Sequence, residues 1–184
     1  MRLLRLVDRY CDRTLLLLLR TFLDIIALRK GPEQIPHSWL LLTLAIASML
    51  VASLCALVLI DPAGEQSLSL SLLTNAVGIG FYAAVLVITG YSRRMLQTLT
   101  TVLGCGAILT MLFVAEFVFL RPFLGAGFAG VIATLTIFWS VPVEGHIIAR
   151  AIDRHWFFGI AIAIAAFVLQ FAFQSYAAQS LGTG

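Results

Sequence analysis

The chain has 184 residues, of which 61% are hydrophobic and only 11% are charged. Soluble domains carry about 25% charged residues, so this composition indicates an integral membrane protein and leaves no room for a separate soluble catalytic domain. The formal charge of +3 is uneven, because residues 1–30 carry +4 and the remainder carries −1. A basic apolar terminus without a nucleic-acid motif predicts anionic lipid headgroups as partners and excludes nucleic acid.

Residues 1–30 predict an amphipathic helix that lies in the membrane interface. At 100° per residue, seven charged side chains fall within one arc of about 120°, and apolar side chains lie opposite them; the seven are Arg2, Arg5, Arg9, Asp12, Arg13, Arg20 and Asp24. The uninterrupted apolar core, Thr14 to Leu19, is too short for a signal peptide. The alternative is a helix that packs on its own bundle. The interfacial hypothesis assigns lipid contacts to Arg2, Arg5, Arg9, Arg13 and Arg20.

A Gly/Pro elbow, residues 31–37, separates this helix from five apolar windows, each long enough to cross about 30 Å of hydrocarbon. The predicted spans are Ser38–Ile60, Ser67–Tyr91, Met95–Leu120, Phe123–Val141 and Trp156–Ala178. The alternation SLSLSLL at the start of the second window imitates a strand, but a lone strand in lipid leaves its backbone groups unpaired. We therefore predict an all-α integral membrane protein. Five transmembrane helices occupy residues 38–178, after the N-terminal amphipathic interfacial helix and before a short C-terminal tail, residues 179–184.

The distribution of basic residues predicts the orientation of these spans. With the N-terminus in the cytoplasm, eleven of the twelve Lys and Arg residues outside the spans lie on the cytoplasmic side. This arrangement also places Trp39, Trp139 and Trp156 near the cytoplasmic interface, where indole rings prefer to lie. We expect the N-terminus to be cytoplasmic and the C-terminus periplasmic.

The three cysteines and the glycine motif do not indicate a cofactor or metal site. Cys11, Cys55 and Cys105 do not have the spacing of a disulfide pair or of metal ligands. Cys55 and Cys105 are predicted to be small buried side chains. Cys11 is a candidate for acylation. The segment GAGFAG, Gly125 to Gly130, matches the dinucleotide-binding fingerprint G-x-G-x-x-G. No predicted strand precedes it, so the match does not predict a cofactor site. We expect its small residues to allow close helix packing. The same packing role is predicted for Gly78, Gly80, Gly104 and Gly106.

Glu116 is the only acidic residue that falls well inside a predicted span. A charge at mid-bilayer costs about 2.5 to 3.5 kcal/mol on insertion scales, and less near the interface. The residue is therefore a candidate intramembrane polar site. In a transporter it could carry protons or ions. In a purely structural role it could pair with Arg121 or accept hydrogen bonds from Asn75 or threonines.

The segment VPVEGHIIARAID, residues 141–153, is a charged island between two apolar runs. Pro142 is expected to kink or end the fourth span, which makes the island a wet turn whose arginines extend to the interface. The alternative is a cytoplasmic docking patch for a phosphate, a lipid headgroup or a partner's carboxylate. Its candidate residues are Glu144, His146, Arg150, Asp153 and Arg154. A lone histidine without a second ligand argues against zinc, and no nucleophile accompanies it.

Two segments, DIIALRKGPEQIPHSWLLL and GHIIARAIDRHWFFGIAIA, resemble a family of uncharacterised proteobacterial inner-membrane proteins with LRxGPxxxPxS and GHIxRxA signatures. The first signature fits residues 28–38, whereas the second departs here in having two residues between Ile147 and Arg150. The resemblance implies a bacterial inner membrane and supplies no catalytic residue. The five-span layout is also similar to that of Yip1-domain proteins, which are associated with membrane organisation and trafficking.

Three functional hypotheses follow from the sequence. The first is a non-enzymatic accessory subunit or organiser of a larger membrane complex, with other membrane proteins and lipids as partners and without a cofactor. The second is a small oligomeric transporter or channel that uses Glu116. The third is a membrane-embedded enzyme for a lipid-like substrate, with Glu144, His146 and Arg150 as its residues.

Overall fold

In the computed structural model, the structure describes residues 16–60 and 68–180, apart from the side chains of Ala126, Ala178 and Ser180. These residues form helices joined by short turns, which confirms the all-α fold. The α-helices are α1 (residues 16–26), α2 (Trp39–Ile60), α3 (Leu68–Ile88), α4 (Met95–Ala151) and α5 (Trp156–Ser180). Two short 3-10 helices, Pro32–Gln34 and Ser92–Arg94, lie between them.

Five helical stretches are long and apolar enough to cross a membrane, as the sequence predicts. They are Trp39–Ile60, Leu68–Ile88, Ser92–Gly125, Gly127–Ala151 and Trp156–Ala177. Two of them belong to α4, whose two halves meet at Gly125. Many of their large apolar side chains are exposed on the outside of the bundle, as expected where lipid rather than water is the neighbour.

The chain reverses direction within α4 at Gly125 and not at the predicted Arg121–Pro122 link. Gly125 has φ 77° and ψ 163°, a conformation that L side chains rarely adopt. The Thr136 hydroxyl contacts the Glu116 carboxylate, and these residues are each ten positions from residue 126. The two halves therefore run antiparallel. The predicted boundaries at Leu120 and Phe123 are wrong because only the glycine supplies the backbone angles of the turn.

We expect Gly125→Ala to lower the free energy of unfolding by about 1 to 3 kcal/mol, the cost of holding a side-chain-bearing residue in this region. Thermal unfolding of the protein in detergent measures the effect. Gly127→Ala is the matched control, because an added Cβ has open space at both positions and only Gly125 has a positive φ. Equal melting temperatures for the two variants would contradict the strain argument.

The second half of α4 extends ten residues beyond the predicted boundary at Val141. Pro142 lies inside this helix, which continues to Ala151, and the turn follows at residues 152–155. A proline removes one backbone hydrogen bond, but neighbouring helices can hold such a helix together. The expectation of a wet turn at residues 141–151 is therefore wrong. Trp139 consequently lies about 18 Å from the end of this half at 1.5 Å per residue, and its location near an interface stays a prediction.

One end of the bundle, which we call the elbow end, contains Pro32–Gln34, Ser92–Arg94 and residues 152–155. The opposite end, which we call the Gly125 end, contains the turn within α4. At the elbow end Arg94 lies 3.0 Å from Asp153 and donates to the carbonyls of Arg150 and Ala151. Arg94 thus joins the start of the first half of α4 to the end of the second half.

Helix α1, which covers residues 16–26 of the predicted N-terminal helix, packs on the bundle through apolar side chains. Ile25 is fully buried, and Phe22 lies so close to Gly104 that a Cβ there would come within 2.5 Å of the ring. The Trp139 indole N–H donates to the Ile26 carbonyl at 3.2 Å. Gly104 is about 14 Å along α4 from Met95 at 1.5 Å per residue. Helix α1 therefore lies alongside the membrane-length helices.

The polar face of α1 is only partly described. Arg20 is exposed, and Asp24 forms an ion pair with Lys30 at 2.8 Å, a hydrogen bond that holds the pKa of Asp24 below its ordinary value. Arg2, Arg5, Arg9, Arg13 and Cys11 lie outside the described residues. Their predicted lipid contacts and acylation stay predictions.

The closest helix contact joins the second half of α4 to α5 through two glycines. A Cβ at Gly159 would lie 2.0 Å from the Gly145 carbonyl oxygen, and a Cβ at Gly145 would lie 2.9 Å from the backbone of Ile160. Gly78 and Gly104 also have close neighbours, as predicted. The packing prediction is wrong for Gly80 and for the GAGFAG glycines, because an added Cβ would meet nothing within 4 Å at any of them.

Candidate functional site

A polar cavity lies inside the five-helix bundle. Its volume is about 260 Å³, and residues from α2, α3, α5 and both halves of α4 line it. Its polar lining comprises Asn75, Thr110, Thr136, Ser140, Glu144 and Gln170. Polar groups are costly in a membrane-spanning bundle and commonly mark pathways for ions or substrates. This cavity is therefore the candidate functional site.

The second half of α4 supplies a row of oxygen-bearing side chains to this cavity. Thr136, Ser140 and Glu144 occur at every fourth residue, so they lie above one another on one helix face. The break at Gly125 directs this half back along the first half, and the Gly145–Gly159 contact holds it against α5. Gly125 and Gly145, on the same helix as the row, thus fix its orientation.

Glu144 is the carboxylate of the cavity, and Tyr82 is its partner. The Tyr82 hydroxyl donates a short hydrogen bond to Glu144 Oε2. Tyr82 is buried, with 2% of its surface exposed, whereas Glu144 is half-buried and its remaining surface faces the cavity. The phenol therefore fixes one carboxylate oxygen while the carboxylate stays accessible to a small ligand or to water.

Glu116 lies beside the same row, nearer to the Gly125 end. The Thr136 hydroxyl lies 2.8 Å from Oε2 and 3.0 Å from Oε1 of Glu116. This contact is the threonine hydrogen bond considered from the sequence. Arg121, the other partner considered, lies over the Phe117 ring at 5.2 Å.

The two glutamates occupy different depths in the bundle. Thr136, which binds Glu116, and Glu144 are eight residues apart, or about 12 Å along the helix axis at 1.5 Å per residue. Ser140 and the cavity lie between these two levels. Carboxylates can hold or release a proton, and the hydroxyls between them can both donate and accept hydrogen bonds. The arrangement thus places two proton-binding groups at different levels, with the hydroxyls of Thr136 and Ser140 between them.

Gln170 completes the cavity from α5, and Gly78 makes room for it. The Gln170 amide donates to the Thr74 carbonyl at 3.3 Å, and a Cβ at Gly78 would lie 2.1 Å from the same nitrogen. Asn75, one residue after Thr74, lines the cavity, and among the described residues its side chain makes no hydrogen bond. Sequence reasoning missed Tyr82 and Gln170, although a polar group within a long apolar window was a signal for each.

The predicted docking patch does not come together as one group. His146 Nε2 lies 3.1 Å from the Lys30 carbonyl, and Arg150 lies 3.7 Å from Glu33. Asp153 pairs with Arg94 as described above, and Arg154 is exposed beside it in the turn. Glu144 faces the cavity instead. His146 and Arg150 thus both contact the elbow, at Lys30 and Glu33, whereas Glu144 contacts Tyr82 on α3, so the three do not form the shared site that the enzyme hypothesis needs.

The cysteines match their predicted character in part. Both described cysteines are free thiols; Cys105 is buried, whereas Cys55 is only half-buried. The Cys105 thiol lies 4.0 Å from the Phe22 carbonyl, so it belongs to the contact between α1 and α4. Among the residues that the structure describes, no group of three or more His, Cys, Asp or Glu side chains is placed to hold a metal ion.

A second, larger cavity of about 660 Å³ lies between α1, α2 and the first half of α4. Its lining is apolar apart from Ser48, and it includes Leu18, Phe22 and Met111. It offers no group for proton transfer or ion binding, so the polar cavity carries the chemistry.

When compared with family models, curated proteins and solved structures, the chain matches none.

Proposed function

We propose that this protein is a small membrane transporter that moves protons, alone or in exchange for a solute, by way of Glu144 and Glu116. The observation that carries the proposal is the polar cavity with an accessible carboxylate at Glu144. The sequence placed this glutamate in a turn and therefore counted only Glu116 inside a span. Two carboxylates, with Thr136 and Ser140 between them, supply the several polar groups that a proton path needs.

The same geometry favours transport over the accessory-subunit hypothesis. A subunit that only organises a complex has no need of a polar cavity in its own interior, where each polar group costs free energy unless it is satisfied. The large exposed apolar surface of the bundle suits lipid as well as a partner protein. The accessory-subunit hypothesis stays a prediction from the sequence.

The orientation that we propose places the elbow end in the cytoplasm of a bacterial cell and the end of α5 in the periplasm. Basic residues near membrane spans are enriched on the cytoplasmic side. Among the described residues, six basic side chains lie at the elbow end, whereas Arg121 lies at the Gly125 end. Those at the elbow end are Arg29, Lys30, Arg93, Arg94, Arg150 and Arg154.

Proton flux into liposomes tests the proposal. The purified chain is reconstituted with an enclosed pH-sensitive dye, and a potassium gradient with valinomycin sets the membrane potential. We expect flux above that of empty liposomes for the wild type, and flux at the empty-liposome level for Glu144→Gln, because an amide cannot exchange a proton. Glu116→Gln is expected to slow flux by removing the second station.

Glu33→Gln is the matched control for these variants. Glu33 is an exposed carboxylate at the elbow end, paired with Arg150 and outside the cavity lining. We expect wild-type flux from this variant. Flux that persists in Glu144→Gln, or that falls equally in all three variants, would contradict the assignment of the path to the cavity. Each variant is first shown to elute as one species from a sizing column.

A further inference from the structure

We propose that the polar cavity binds a small organic molecule with a primary amine, in its ammonium form, and that Glu144 is the counter-ion. This inference rests on the proposed function, because it names the solute that exchanges with the proton. It follows from the composition of the cavity wall, which combines a carboxylate, neutral hydrogen-bonding groups and aromatic rings.

The charge of the cavity wall suits a cation. Glu144 is its ionisable carboxylate, and the described lining contains no Lys, Arg or His side chain. A carboxylate in a low-dielectric site is stabilised when an opposite charge comes within a few ångströms. An anionic solute would meet this carboxylate without a compensating basic group. The lining therefore selects against anions and in favour of cations.

The neutral groups of the lining suit a primary ammonium better than a quaternary amine. A primary ammonium has three N–H donors and no acceptor. Acceptors for these donors are available on Glu144, on the hydroxyls of Thr136 and Ser140, and on the Asn75 amide oxygen. A quaternary ammonium has no N–H donor, so these acceptors would be desolvated without a partner, which is costly.

The remaining lining residues suit an apolar body attached to the amine. Met49, Leu109, Phe113 and Phe167 contribute apolar surface next to the polar row. Aromatic faces attract cations that lie within about 6 Å of the ring centre, and they also stack with an aromatic ligand. The volume of about 260 Å³ is at the small end of ligand cavities. The solute is therefore a small arylalkyl or alkyl amine.

The amine and the proton exchange for each other because both bind to the Glu144 carboxylate. Glu144 carries either a proton or the ammonium, and no covalent bond forms or breaks in the solute. When the ammonium binds, the proton leaves the carboxylate, and the net charge of the cavity stays the same. Binding of the amine must therefore weaken as the pH falls, because protons compete for the same oxygens.

Calorimetric titration of the full chain in detergent with benzylammonium chloride tests the proposal. We expect saturable binding, a lower affinity at acidic than at neutral pH, and an observed binding enthalpy that varies with the ionisation enthalpy of the buffer with the sign of proton release. N,N,N-Trimethylbenzylammonium is the matched ligand, and we expect it to bind at least about tenfold more weakly, a change in Kd that titration measures readily.

Two cavity variants and one control complete the design. Glu144→Gln removes the counter-ion and is expected to abolish saturable binding, whereas Asn75→Leu removes an acceptor, narrows the cavity while the carboxylate remains, and is expected to weaken binding at least about tenfold. Glu33→Gln is expected to retain wild-type binding, since Glu33 lies at the elbow end, outside the lining. Asn75→Leu also controls for misfolding of Glu144→Gln. Loss of binding is assigned to the cavity only if both variants elute as one species and both bind less tightly than the wild type.

The outcomes separate this inference from the proposed function. Equal binding of the quaternary ligand, or binding that survives Glu144→Gln, would overturn the inference. Absence of saturable binding together with proton flux that depends on Glu144 would overturn the amine proposal and leave proton transport standing. Absence of both binding and flux would overturn the two together.

Discussion

Replacement of Gly159 by alanine is expected to unfold or strongly destabilise the bundle, with a loss of about 3 kcal/mol, at the upper end of what overpacking usually costs. The added Cβ would lie 2.0 Å from the Gly145 carbonyl oxygen and 2.8 Å from the Ala149 backbone nitrogen. Backbone atoms cannot move aside as a flexible side chain can. Helix α5 must therefore separate from α4, and the wall of the cavity beside Glu144 opens with it.

Thermal unfolding in detergent measures this loss, and Gly80→Ala is the matched control. Gly80 is also a helical glycine, but an added Cβ there meets nothing within 4 Å. Alanine in place of an exposed helical glycine is expected to raise stability by about 0.5 to 1 kcal/mol. The two substitutions thus differ in sign. A melting temperature for Gly159→Ala at or above that of the wild type would refute the contact.

These glycines illustrate which parts of the fold the sequence could predict. Length and hydropathy are properties of single segments, so five helices and their approximate bounds were predictable. Close helix contacts depend on which faces meet after folding, and a glycine by itself does not reveal its neighbour. The GAGFAG motif therefore suggested packing where an added Cβ has open space, while Gly145 and Gly159 passed unnoticed.

The end of the fourth span shows the same limit at the candidate site. Pro142 and four nearby charged residues favoured a turn, because proline disrupts isolated helices and charges avoid lipid. In the bundle the helix continues through Pro142, and Tyr82 on α3 satisfies Glu144. Residues 82 and 144 are 62 positions apart, so no local pattern links them. Glu116 was predictable as a polar site because it stands alone in an apolar window.

The pairing of Tyr82 with Glu144 leads to a second prediction with a large effect. Glu144→Leu is expected to lower the free energy of unfolding by about 1 to 3 kcal/mol, because the buried Tyr82 hydroxyl loses its acceptor. Tyr82→Phe removes the donor in turn. The double variant, Tyr82→Phe with Glu144→Leu, is expected to recover most of the stability, since both polar partners are replaced by apolar groups of similar size.

Unfolding of the two single variants and the double variant in a denaturing detergent series measures this coupling. Tyr82→Phe combined with Glu116→Gln is the control. Glu116 shares no hydrogen-bond partner with Tyr82 among the described residues, so these effects should add within about 0.5 kcal/mol. If the losses from Tyr82→Phe and Glu144→Leu also simply add, the hydrogen bond between them contributes nothing, and the geometry of the site is wrong.

The double variant also separates stability from function. If the apolar pair folds as well as the wild type and proton flux is lost, then the carboxylate is not needed to hold the helices together. A buried charge that stability does not require is retained for what it binds. Recovery of stability with wild-type flux would instead show that the path avoids Glu144, and Glu116 would become the residue to follow. The same protein preparation thus tests the packing and the chemistry of the cavity.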